Sequence, residues 1–234
     1  MESSSANHIF DVAVGVGAQS TLTVTSQEDK KRNIYNQMAQ VLVGYDITGS
    51  ILQFDEDGDF SGGTKMNECI FLVFSRLLVK DEIKKETFEM KVGTHDDFAT
   101  PMSELMTITD VSASNEYRVN SPAGDYGILY ATETIGTHEY VKCGLIYYQA
   151  GVVVLTSSLF QDHGAGGFID AAVNTTNGQG CDWLDASNSI QTALISSEIS
   201  SSADALRNRI YNLQFNNTTE LNSTVYFCRA NHNE

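Results

Sequence analysis

The chain has 234 residues, 41% hydrophobic and 19% charged, which is ordinary globular composition and enough length for a real core. Its 30 Asp and Glu against 14 Lys and Arg leave a net charge of −16, a field that opposes nucleic acid and anionic membrane as partners. The longest apolar stretch, 141–160, is broken by Lys142, Gln149 and Gly151 and does not read as a membrane helix, and the polar, acidic opening 1–7 does not read as a secretory leader.

In chain order, residues 9–16 read as a strand loosened at its end by Gly15 and Gly17. Ser26 stands where a helix cap belongs, and Ile34, Met38, Val41 and Leu42 recur on one helical face, so a helix is expected over about 27–43 with Gly44 as its stop. Residues 45–54 resemble a hairpin, with 46–50 as the turn and 51–54 as the return strand. The continuous apolar run 69–74 is rich in β-formers and reads as a strand, followed by 75–79. The charged stretch 80–85 is a solvated turn or one helical turn, and Phe88, Met90 and Val92 alternate as a strand over 87–92. Weaker strands are expected at 104–111 and 117–119, stronger ones at 126–132 and 140–148. A tight turn at 149–151 then leads to an antiparallel return over 152–155.

Beyond this, 160–186 is Gly-, Asn- and Asp-rich and reads as a long loop. Helices are expected at 187–199 and 203–211, and 213–216 with 223–229 as a closing hairpin. Short turns between strands argue against βαβ units. The expected fold is mainly β (α+β): an antiparallel, sandwich-like domain over 1–234, with one N-terminal helix, short C-terminal helices and a loop-rich subregion at 160–234. The hairpin 143–155 is apolar on both faces, which places it at the centre of that fold.

The sharpest motif is 57–68. Asp57, Asp59 and Ser61 occupy positions 1, 3 and 5 of a calcium loop, with Gly62 at 6 and Glu68 at 12. The flanks are strand-like rather than helical and Lys65 stands at position 9, so the segment reads as an acidic turn and not an EF-hand. Asp57, Asp59, Ser61 and Glu68 are left as candidate ligands of a surface ion only. Cys69, Cys143, Cys181 and Cys228 lack metal spacing and read as thiols rather than as a disulfide framework. The Asn-x-Ser/Thr patterns beginning at Asn174, Asn216, Asn217 and Asn222 read as polar turns. His163 beside Asp162 and His95 before Asp96 have no third partner at ligand spacing. No nucleophile elbow, zinc-protease motif or phosphate loop occurs, so neither a catalytic residue nor a cofactor is expected. Tyr35, Tyr117, Tyr126, Tyr140, Tyr147 and Tyr148 divide between core packing and interface anchoring.

Four segments carry a resemblance: 33–46 (NIYNQMAQVLVGYD), 74–85 (FSRLLVKDEIKK), 144–155 (GLIYYQAGVVVL) and 206–234 (LRNRIYNLQFNNTTELNSTVYFCRANHNE). Together they resemble virion structural proteins of tailed phages of marine bacteria, cyanophages especially. The resemblance implies a tail or baseplate subunit located in the virion, whose partners are other virion proteins and copies of itself, acting without catalysis. The alternatives are a capsid, neck or decoration component, or a host-surface glycan-binding module, the latter suggested by the acidic loop and the Gly-rich 161–180 segment. A glycan-degrading tail enzyme ranks last.

Overall fold

The computed structural model describes residues 9–95, 100–133, 139–161, 163, 166–169 and 190–219. Within these, the elements are β1 (Phe10–Val16), α1 (Glu28–Leu42), β2 (Glu68–Phe74), α2 (Arg76–Val79), β3 (Glu82–Ile83), β4 (Glu89–Gly93), β5 (Leu105–Thr109), α3 (Ala113–Glu116), β6 (Arg118–Ser121), β7 (Gly124–Glu133), β8 (Val141–Tyr147), β9 (Val152–Thr156), α4 (Ile190–Ser196), α5 (Ile199–Arg207), β10 (Ile210–Gln214) and β11 (Asn217–Thr218). Nine strands form one antiparallel sheet in the order β1-β2-β9-β8-β7-β5-β4-β10, with β6 paired to β7, and β11 and β3 form a second, two-stranded sheet. The fold is mainly β and antiparallel, with an N-terminal helix and short C-terminal helices, as the sequence pattern predicts.

The large sheet curls on itself. Phe74 ends β2, second in the order, and Phe215 follows β10, the last; their ring centroids lie 5.1 Å apart. The enclosed face gathers Leu72, Val153, Ile146, Leu129, Met90 and Ile108, closed by Leu194 and Ile195 of α4 and Leu206 of α5. The opposite face of the central strands is covered by Tyr35, Ala39 and Leu42 of α1 and by Phe54 and Met66, which pack on Phe71, Leu145, Tyr147 and Val154. Every residue of β9 is therefore buried, whereas β4 and β5 alternate buried and half-buried positions, because no element among the described residues covers their outer face. The layered, sandwich-like character arises from this curling and from α1.

Several local expectations are revised. The buried face of α1 runs through Lys31, Tyr35, Ala39 and Leu42, while Val41 is exposed. The helix is rotated because Tyr35 lies against Gly15 and Gly17, and its hydroxyl donates to the Met66 carbonyl (2.9 Å) and accepts from the Phe54 N–H (3.3 Å). Ser26 does not cap: Gln27 precedes the helix with φ 55°, and its side-chain oxygen accepts the Ile199 N–H at the start of α5. The 45–54 segment makes a single bridge, Tyr45 with Ile51, because the Asp46 carboxylate takes the N–H groups of Thr48 and Ser50 and closes the turn locally. Residues 76–79, which follow the strand, form a helical turn. The expected helix 203–211 ends at Arg207, and Ile210–Gln214 forms a strand that pairs with β4. The expected partner strand 223–229, most of the 160–186 loop, and residues 187–189 at the start of the expected helix 187–199 lie outside the described residues.

Candidate functional site

The acidic loop leaves the covering layer just after Phe54 and returns at Lys65, which bridges to Asp55. Between them the backbone turns tightly. The Asp57 carboxylate accepts the Asp59 N–H (3.1 Å) and the Asp59 carboxylate accepts the Ser61 N–H (2.7 Å). Gly58 is needed here: its φ is +68°, and a Cβ would press on Leu145 at 3.2 Å and Tyr126 at 3.3 Å. The Tyr126 hydroxyl donates to the Gly58 carbonyl (2.8 Å), the Phe60 ring stacks on Tyr126 (5.4 Å between centroids), and Arg118 donates to the Asp57 carbonyl (3.2 Å). The loop is thus pinned to β6 and β7 by its own backbone carbonyls.

The structure brings Asp57 and Asp59 together with Asp55, and Glu68 is not part of the carboxylate group. One oxygen from each of the three aspartates lies within 4.8 Å of the others. Glu68 is the first residue of β2, in register with Val16, and Ser61 contributes its N–H to the turn. Asp55 was missed because the calcium-loop template starts one alternate residue later. The pattern Asp55-x-Asp57-x-Asp59, two residues apart throughout, is the signal that finds it.

Asp55 has no exposed side-chain surface and pairs with the Lys65 ammonium through Oδ2. Hydrogen bonding to the Asp59 N–H holds the Asp57 carboxyl below the usual range, whereas burial, followed by the charges of Asp55 and Asp57, pushes the Glu56 carboxyl up.

A second feature is a groove of about 690 Å³ on the uncovered outer face of β4, β5 and β7, lined in part by Glu86, Glu89, Thr107, Thr109, Tyr140 and Gln214. Its carboxylates have structural partners. Glu86 binds Ser114, Glu89 accepts from Gln214 (3.0 Å), and buried Asp110 accepts from the N–H groups of Glu86 (2.8 Å) and Phe88 (3.1 Å) and from the Tyr148 hydroxyl (3.0 Å). Burial pushes the Asp110 carboxyl up.

A third feature is one end of the sheet. There the Ser75 N–H bonds to the Ile9 carbonyl, Arg76 donates to the Gln149 carbonyl, Gly124 lies beneath the Gln149 side chain, and Gly44 lies on Pro122. Ile9, Tyr45 and Leu77 adjoin these contacts and are exposed, as are Val41 in the last turn of α1, Ile47 in the 46–50 turn and Val119 in β6; Ile47 is fully exposed and Leu77 is 86% exposed.

Of the remaining candidates, Cys69 and Cys143 are free and buried, and burial pushes both thiols up. Cys181 and Cys228 lie outside the described residues, as do Asn174 and Asn222. His163 pairs with Glu133 at 3.0 Å, a partner 30 residues distant that local spacing does not show. Tyr35, Tyr126, Tyr147 and Tyr148 belong to the core, whereas Tyr117 and Tyr140 are exposed. Comparison of the chain with family models, curated proteins and solved structures finds no match.

Proposed function

We propose that this chain is a structural subunit of a bacteriophage particle, in the tail or baseplate, acting by assembly with other virion proteins and copies of itself rather than by catalysis. The observation that carries the reading is the apolar end. Ile9, Val41, Tyr45, Ile47, Leu77 and Val119 meet water on a chain of net charge −16. Exposed apolar groups of this size favour burial against a neighbour. Val41, Tyr45 and Leu77 fall within segments 33–46 and 74–85, which resemble marine-phage virion proteins. The structural engagement of Glu86, Glu89 and Asp110 favours a non-catalytic role for the groove.

The test is a charge placed on that end. Ile47→Lys and Leu77→Lys remove no buried contact, so each is expected to change stability by no more than about 0.5 kcal/mol. Both are expected to abolish incorporation when the variants complement a phage lacking the wild-type chain. Normal incorporation of both variants contradicts the reading.

A host-glycan-binding role is the second reading, favoured by the outer groove with its exposed Tyr140 and its threonine-rich floor. Glycan-array binding that is lost in Tyr140→Ala supports it.

A further inference from the structure

We propose that Asp55, Asp57 and Asp59 bind a calcium ion, with the buried Oδ1 of Asp55 as its innermost ligand. Three carboxylate oxygens converge within 4.8 Å. A second observation points to what they hold. Asp55 is wholly buried, Lys65 occupies Oδ2, and Oδ1 has no hydrogen-bond partner among the described residues. A buried carboxylate oxygen accepts only, and leaving it without a donor is costly. Oxygens of Asp57 and Asp59, further acceptors, lie within 4.8 Å of an Asp55 oxygen, so a cation satisfies Oδ1 where no donor among the described residues reaches.

The charge balance agrees. Asp55, Glu56, Asp57 and Asp59 are consecutive or nearly so; among the described residues the ammonium paired with them is that of Lys65, and the charges of Lys142 and Arg118 act on the group without an ion pair. Arg118 directs its NH2 to a backbone carbonyl of the loop, not to a carboxylate. The ligand set is all oxygen, on a glycine-containing turn that adapts its coordination number, which suits calcium better than the rigid octahedron of magnesium. Residues 56–64 lie against Tyr126 and Leu145, so the ion would tie the loop to the covering layer over β7 and β8.

The experiment is calcium titration of the full chain, followed by thermal melting and by terbium luminescence. Tyr126, whose hydroxyl is 2.8 Å from the Gly58 carbonyl, is the sensitising ring. Wild type and Asp204→Asn, a surface carboxylate on α5 that controls for net charge, are expected to melt higher in millimolar calcium than in EDTA. Both are expected to show terbium emission that calcium displaces. Asp59→Asn, at an exposed position, is expected to keep the wild-type melting temperature in EDTA and to lose roughly tenfold or more in calcium affinity, as removal of one charged ligand implies. Asp57→Asn serves as the second variant. Absence of any calcium-dependent rise in wild type, or Asp59→Asn and Asp57→Asn binding as tightly as Asp204→Asn, overturns the proposal.

Discussion

Val153 and Val154 are neighbours in β9, neither exposes any surface, and they lie in different cores. Val153 packs inside the curl with Leu72 and Ile146, and Val154 packs beneath α1 with Phe71 and Leu145. Strand alternation at the third position of the sheet order sends successive side chains to two separately closed layers. Val153→Asp and Val154→Asp are each expected to cost more than about 4 kcal/mol, because each buries an unpaired carboxylate. Val119→Asp, on the exposed β6, is expected to be nearly neutral. Urea titration of the three variants checks this, and a soluble Val153→Asp with the wild-type midpoint contradicts it.

Gly151 holds the β8–β9 turn with φ +66°, and a Cβ there would lie 2.5 Å from a methyl of Val79. Gly151→Ala therefore meets both backbone strain and a clash, with an expected loss of about 1–3 kcal/mol. Val79→Ala relieves the clash but not the strain. The double variant is thus expected to be more stable than the sum of the single effects, and the chemical-denaturation cycle measures the coupling.

The pH dependence of stability carries the signature of Glu56. Its folded pKa is raised by burial and then by Asp55 and Asp57, so the folded state binds more proton than the unfolded state between the two values. The stability Glu56 contributes is fully present below its unfolded value of 4.5 and is lost as pH rises through the folded value. Glu56→Gln does not titrate. Its stability relative to wild type is expected to increase as pH rises through that window and to level off above it. Melting curves in calcium-free buffer across the window test this; a constant difference between the two proteins contradicts it.

Much of the fold was legible because local and tertiary signals coincide. The two-sided apolar run of 152–155 demanded a central strand, and its central place in the sheet follows from that. The face of α1 was less legible, because Lys31 is counted as solvent-facing in any sequence pattern. Here its ammonium donates to the carbonyls of Ile195 and Ser197 (2.6 Å to the latter) at the end of α4, which rewards burial of a cation at a helix C-terminus. That partner lies 164 residues away, beyond the reach of periodicity. In the acidic loop, Asp57 and Asp59 were visible from spacing. The same two-residue spacing carried one step back reaches Asp55, whereas the burial of Asp55 beside Lys65 and the place of Glu68 in strand register are tertiary facts.

The central claim is that this chain assembles into a phage particle through the end bearing Ile47 and Leu77. A particle reconstruction tests it most directly. The account predicts density for the curled sheet at symmetry-related positions in the tail or baseplate, with Ile47 and Leu77 buried against a neighbouring subunit. Particles that lack this density, or that leave Ile47 and Leu77 facing solvent in every copy, contradict it.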